Sequence, residues 1–68
     1  MEKVNVTISY CDIEFQVKGF YIKGSDYDYT GSCIEDEQIL IQGIDVYEIL
    51  SNKQINDIID LAIEEIED

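Results

Sequence analysis

The last third of the chain carries one uninterrupted helical stripe. Ile55, Ile58, Ile59, Ala62, Ile63 and Ile66 fall at i, i+3, i+4, i+7, i+8 and i+11. That spacing aligns apolar side chains on one face of an α-helix. Ser51 and Gln54 stand three apart at its start, the pattern of a capping box: the hydroxyl reaches the N3 amide and the glutamine reaches back. Leu50 and Ile55 take the N′ and N4 positions of a hydrophobic staple. These signals agree on a helix over about residues 52–66. A helix this one-sided must lay its isoleucines on something, and the rest of the chain has to supply that surface.

The first third reads as a hairpin. Val4, Val6, Ile8 and Tyr10 alternate with Asn5, Thr7 and Ser9, a period of two that predicts a half-buried strand over about 4–10. Cys11 and Asp12 form a two-residue tip, with no glycine to take positive φ cheaply. Ile13, Phe15 and Val17 then face one way, against Glu14, Gln16 and Lys18. At Gly19 the apolar residues move to even positions, Phe20 and Ile22. A glycine at such a phase change predicts a β-bulge in a strand over about 13–23.

Residues 24–36 (GSDYDYTGSCIED) predict an acidic loop, long for a compact domain and of a length often given to function. Strand character returns over about 37–42, where Ile39 and Ile41 share a face opposite Leu40, and Gly43 breaks the run. Ile44, Val46 and Tyr47 lead into the helix, through a short helical turn. The expectation is an α+β fold in one domain, residues 1–68, with a three-stranded antiparallel sheet and the C-terminal helix on one face. The opposite sheet face would be left to solvent or a partner.

Composition removes most function classes. The 68 residues hold 16 acids against four lysines, giving a net charge of −12, yet 46% are hydrophobic. A disordered acidic tail would hold far fewer apolar residues. Four lysines cannot neutralise a row of phosphates, so direct nucleic-acid binding is not expected. No histidine is present, which removes the usual general base. No arginine is present either, which removes the bidentate anion clamp. Neither phosphate-cradling loops nor nucleophile motifs occur. The expectation is therefore no enzyme and no cofactor. Cys11 and Cys33 are 22 apart, too few and too distant for a zinc site. They are expected to be reduced, buried, small apolar side chains. With no basic-then-apolar leader and no long apolar run, the chain is expected in the cytoplasm and off the membrane.

The charge is unevenly spread. Glu2, Asp12 and Glu14 balance Lys3, Lys18 and Lys23 in residues 1–23. Residues 24–50 hold Asp26, Asp28, Glu35, Asp36, Glu37, Asp45 and Glu48 with no base, and residues 51–68 set six acids against Lys53. On the helix, Asp57, Asp60, Glu64 and Asp68 are spaced by three or four, forming a row with neighbours about 5–6 Å apart. Glu64, Glu65, Glu67 and Asp68 sit at the negative end of the helix dipole, where cations are favoured. A local rule broken repeatedly in a small domain points to function, although solubility by self-repulsion explains the same charges. The functional reading is a surface imitating a nucleic-acid backbone, docking on a basic groove with steered, salt-sensitive association. Its candidate residues are Asp57, Asp60, Glu64 and Asp68, with Asp26, Asp28, Glu35, Asp36 and Glu37. Tyr27 and Tyr29 are candidate aromatic anchors. A weaker alternative is a calcium loop on Asp26, Asp28, Thr30 and Glu37, which match a twelve-residue calcium pattern with Gly31 in register. Strands rather than helices flank it.

VNVTISYCDIEFQVKGFYIKG, an acidic loop and then DVYEILSNKQINDIIDLAIEEIED together resemble the short acidic proteins encoded by bacteriophages. Those often pair an N-terminal hairpin with a C-terminal helix that opens D-V-x-x-[IL]-L-S. Some are inhibitors of host defence, including anti-restriction and anti-CRISPR proteins, several acting as DNA mimics. The resemblance implies a viral binding protein in the host cytoplasm, acting on a basic nucleic-acid-handling enzyme or defence complex. It assigns no functional residue. The alternative is an assembly accessory or self-associating module. A homodimer would help a domain this small, which buries only about 60% of its unfolded surface.

Overall fold

The computed structural model describes residues 2–24 and 31–68. Four strands and one long helix follow in chain order. They are β1 (Glu2–Tyr10), β2 (Ile13–Ile22), β3 (Cys33–Ile41), β4 (Ile44–Asp45) and α1 (Asn52–Glu67), with a 3₁₀ turn at Tyr47–Ile49 before the helix. The strands form a single antiparallel sheet in the order β1-β2-β3-β4. The fold is α+β as expected, with four strands where three were read from the sequence.

The first hairpin closes through Cys11 and Asp12, both at positive φ (53° and 63°). This is the mirror-image turn whose twist matches its strands. β1 then pairs with β2 without interruption from Tyr10↔Ile13 to Glu2↔Tyr21. Val4, Val6, Ile8 and Tyr10 share the inner face, and Ile8 is buried.

The bulge near Gly19 is present, but on β3 rather than β2. Lys18 pairs with Gln38 and Phe20 with Glu35, so β3 spends one more residue than β2 across the same span. Asp36 absorbs the surplus at φ 52°. β2 keeps its phase: Phe15, Val17, Gly19 and Tyr21 are all buried, while Phe20 and Ile22 stay on the outer face. The expected phase change in β2 is thus corrected. The extra residue flips β3 instead, which is why even-numbered Ile34 and odd-numbered Ile39 both reach the core. Gly19 permits the close approach. A Cβ there would stand 2.6 Å from Ile34 Cγ2 and 2.8 Å from the Glu35 carbonyl oxygen.

The expected loop over 24–36 is shorter than read. Cys33, Ile34, Glu35 and Asp36 belong to β3. The bulge explains the error, because it breaks the alternation that would otherwise have marked them as strand. A second tight turn at Gln42 and Gly43, both at positive φ, folds β4 onto β3 with Ile41↔Ile44 paired. The Val46 amide then donates to the Ile39 carbonyl at 2.9 Å and Val46 is buried.

The helix begins where the capping signals placed it. Ser51 Oγ accepts from the Gln54 amide at 3.1 Å, and Gln54 Oε1 accepts from the Ser51 amide at 2.9 Å. Ile58 and Ala62 are fully buried against the sheet, with Ile55, Ile59, Leu61, Ile63 and Ile66 packed around them. The helix lies mainly over β1, on one side of a core made by Val17, Ile39, Phe15, Tyr21 and Ile34. The outer sheet face is mostly polar, with Asn5 accepting from Gln16 across β1 and β2 at 2.9 Å.

Candidate functional site

The carboxylates divide into those held within the fold and those turned outward. Asp57 Oδ2 accepts from the Tyr10 hydroxyl at 3.0 Å and pairs with Lys53 Nζ at 2.9 Å. Lys53 first, then Tyr10, holds its carboxyl below the usual range. In return the bond to Asp57 raises both the Tyr10 phenol and the Lys53 ammonium. Glu67 Oε2 accepts from the Ser32 hydroxyl at 2.6 Å and from the Tyr21 hydroxyl. Ser32, then Tyr21, holds the Glu67 carboxyl down, and the bond to Glu67 raises the Tyr21 phenol. Ser32 Oγ also accepts from the Gly24 amide at 2.9 Å. The helix C-terminus is therefore anchored to the chain on both sides of residues 25–30.

Glu37 Oε1 accepts from the Tyr47 hydroxyl at 3.1 Å, and that bond raises the Tyr47 phenol. Asp45 Oδ1 accepts from the Tyr47 amide at 2.9 Å, the local bond of an Asx turn. Asp57 and Glu37 are thus partly committed within the fold, which the sequence reading did not foresee. Hydroxyls cannot be assigned to acids from spacing in the chain: Tyr10 and Asp57 are 47 residues apart.

Asp60, Glu64 and Asp68 are exposed on the helix, and Glu35 and Asp36 on β3. No hydrogen bond or ion pair reaches these five side chains among the described residues. The expected row splits. Glu64 and Asp68 line an open groove of about 640 Å³ beside β1, together with Leu61, Glu65, Ile8, Thr7 and Ser9. Asp57 stands about two turns before Glu64, beside Tyr10. Asp60 is exposed but does not line the groove. Glu65 was missed as a site residue. Its spacing of four from Leu61, an apolar residue outside the main stripe, was the signal that could have found it.

Asp26, Tyr27, Asp28, Tyr29 and Thr30 lie outside the described residues, and so do three of the four calcium candidates. The fourth, Glu37, stands in β3 facing Tyr47 rather than closing a loop. Among the described residues, no three His, Cys, Asp or Glu side chains converge as a metal site would require. Cys11 and Cys33 are free but exposed, correcting the expectation of burial. The turn holds Cys11 away from the core, and β3 begins at Cys33 on the outer face, opposite Ile22.

The flank of α1 beside β1 gathers Glu64, Glu65, Glu67 and Asp68 along one groove. β1 is an edge strand, since the order β1-β2-β3-β4 leaves its far side unpaired. No family model matches the chain, and no curated protein or solved structure matches it. Fold and site define an acidic α+β domain with an open sheet edge. No helix among the described residues is long and apolar enough to cross a membrane.

Proposed function

We propose that this chain is a non-enzymatic binding domain of the cytoplasm that docks through its acidic surface on a basic partner protein. The partner surface best suited to it is one that ordinarily holds nucleic acid, so that the domain acts as an inhibitor by occupation. One observation carries the reading: Asp60, Glu64 and Glu65 on a helix with an N-terminal capping box, and Asp68 at its C-cap, are exposed with no cation set against them among the described residues. These charges oppose the helix dipole, and like charges three or four apart repel. A cationic partner relieves both costs. Such an interface associates quickly and weakens as salt screens it.

The test is a triple reversal, Asp60→Lys, Glu64→Lys and Asp68→Lys, with circular dichroism to confirm the helix. The native domain should retain basic proteins from a bacterial lysate and release them as salt rises, and the variant should not. Retention equal to the native domain's refutes the reading.

A second reading has its own observation. Ile44 is 67% exposed and Ile49 81% exposed, apolar area suited to self-association. Sedimentation separates the two: association through Ile44 and Ile49 strengthens with salt and is lost on their replacement by Ser.

A further inference from the structure

We infer that the free edge of β1 accepts an extended strand from the partner, with Lys or Arg at alternate positions facing the helix. The inference rests on the acidic docking proposed above and names how the partner is held.

The backbone argument comes first. A two-residue turn makes Tyr10↔Ile13 a hydrogen-bonded pair, and such pairs alternate along an antiparallel ladder. Glu2, Val4, Val6, Ile8 and Tyr10 therefore spend their amides and carbonyls on β2. Those of Lys3, Asn5, Thr7 and Ser9 point to the open side. No backbone partner meets them among the described residues. Sheet edges are ordinarily blunted by a bulge, a proline, charged side chains such as Lys, or a very short strand. β1 carries charge only at its first two residues, Glu2 and Lys3, runs nine residues without a bulge against β2, and the chain has no proline.

The groove then selects the occupant. An added strand places alternate side chains on the helix side, beside Ile8, Leu61, Glu64, Glu65 and Asp68. Its other side chains lie beside Lys3, Asn5, Thr7 and Ser9, which are polar and carry one cation. Basic residues are thus favoured on one face of the incoming strand only. Main-chain bonds supply affinity and the alternate side chains supply selectivity. A second copy of this chain is disfavoured. Pairing two β1 edges would bring two helix flanks together, each lined by Glu64, Glu65 and Asp68, in molecules of net charge −12.

The experiment uses a nine-residue peptide alternating Lys with Thr, titrated into the intact domain and followed by amide hydrogen exchange. The amides of Lys3, Asn5, Thr7 and Ser9 should exchange fast in the free domain and at least tenfold more slowly with peptide. Those of Val4, Val6 and Ile8 should be slow throughout. Thr7→Pro removes one outward amide and no bond to β2, and should weaken peptide binding at least tenfold. A peptide N-methylated at alternate residues leaves the protein untouched and should lose binding likewise. Binding that shifts the helix resonances, leaves the outward amides unprotected and tolerates N-methylation overturns the edge inference while sparing the acidic surface. Absence of binding overturns both. Protection of the same amides by raising protein concentration alone overturns the heterologous occupant in favour of a second copy.

Discussion

Gly19→Ala tests whether the approach of β2 to β3 at the bulge is as close as the geometry requires. The new methyl would stand 2.6 Å from Ile34 Cγ2, 2.8 Å from the Glu35 carbonyl oxygen and 3.3 Å from Glu37 Cα. Two of those three neighbours are backbone, and Ile34 is itself buried, so no loose side-chain end can yield. Ordinary contact demands that the strands part by about 1 Å here, and forced overpacking of this kind costs about 1–3 kcal/mol. Reduced freedom of the unfolded chain returns about 0.4–1 kcal/mol. The expected net loss is about 1–2 kcal/mol, set against the ~3–10 kcal/mol that 68 residues hold at typical stability per residue. Urea unfolding followed by circular dichroism should show a midpoint lower by about 1–2 M, given a slope near 1 kcal/mol/M for so small a domain. Ile34→Ala removes the nearest clashing atom but leaves the Glu35 carbonyl. Gly19→Ala should therefore cost less in that background without becoming free. An unchanged or raised midpoint for the single variant refutes the close approach, and with it the account of how β3 changes phase.

Replacing Cys11 by Asn and Asp12 by Gly places the preferred residues at two positive-φ positions, and should stabilise the domain by about 1 kcal/mol in the same urea assay. Asp57 and Glu67 titrate below the usual carboxylate range in the fold, so their contribution is complete above their unfolded pKa values and lost as pH falls through the folded ones. Relief of self-repulsion acts the other way between neutral pH and the pI near 4.1. Melting temperature should therefore rise on mild acidification and turn down below about pH 4, and Glu67→Gln should flatten that downturn; an identical acid limb would refute the bond's role. All three tyrosines among the described residues donate to carboxylates, so near-ultraviolet titration should show Tyr10, Tyr21 and Tyr47 ionising later than a free phenol. Glu64→Lys and Asp68→Lys should each raise helix stability by about 0.3–1 kcal/mol at low salt, read as melting temperature, since they complement the dipole that the native acids oppose.

Local patterns determined much of this protein by themselves. The helix and its start were legible because capping and staple contacts join residues no more than five apart in the chain. The first hairpin was legible because alternation over Val4 to Tyr10 and over Ile13 to Val17 implies a buried face. The excess of acid downstream of residue 23 needed only the composition. Tertiary structure alone decided the rest, because the deciding contacts join residues far apart in the chain. The surplus residue at Asp36 can be counted only against Lys18 and Phe20 across the sheet, so the first half of β3 read as loop. Hydrogen bonds from Tyr10, Tyr21, Ser32 and Tyr47 select which acids are held within the fold. The groove exists because α1 lies over the strand at the sheet's edge, setting Glu64, Glu65 and Asp68 beside Thr7 and Ser9. Sequence spacing could place those acids near one another on a helix, but only packing could set them beside an unpaired strand.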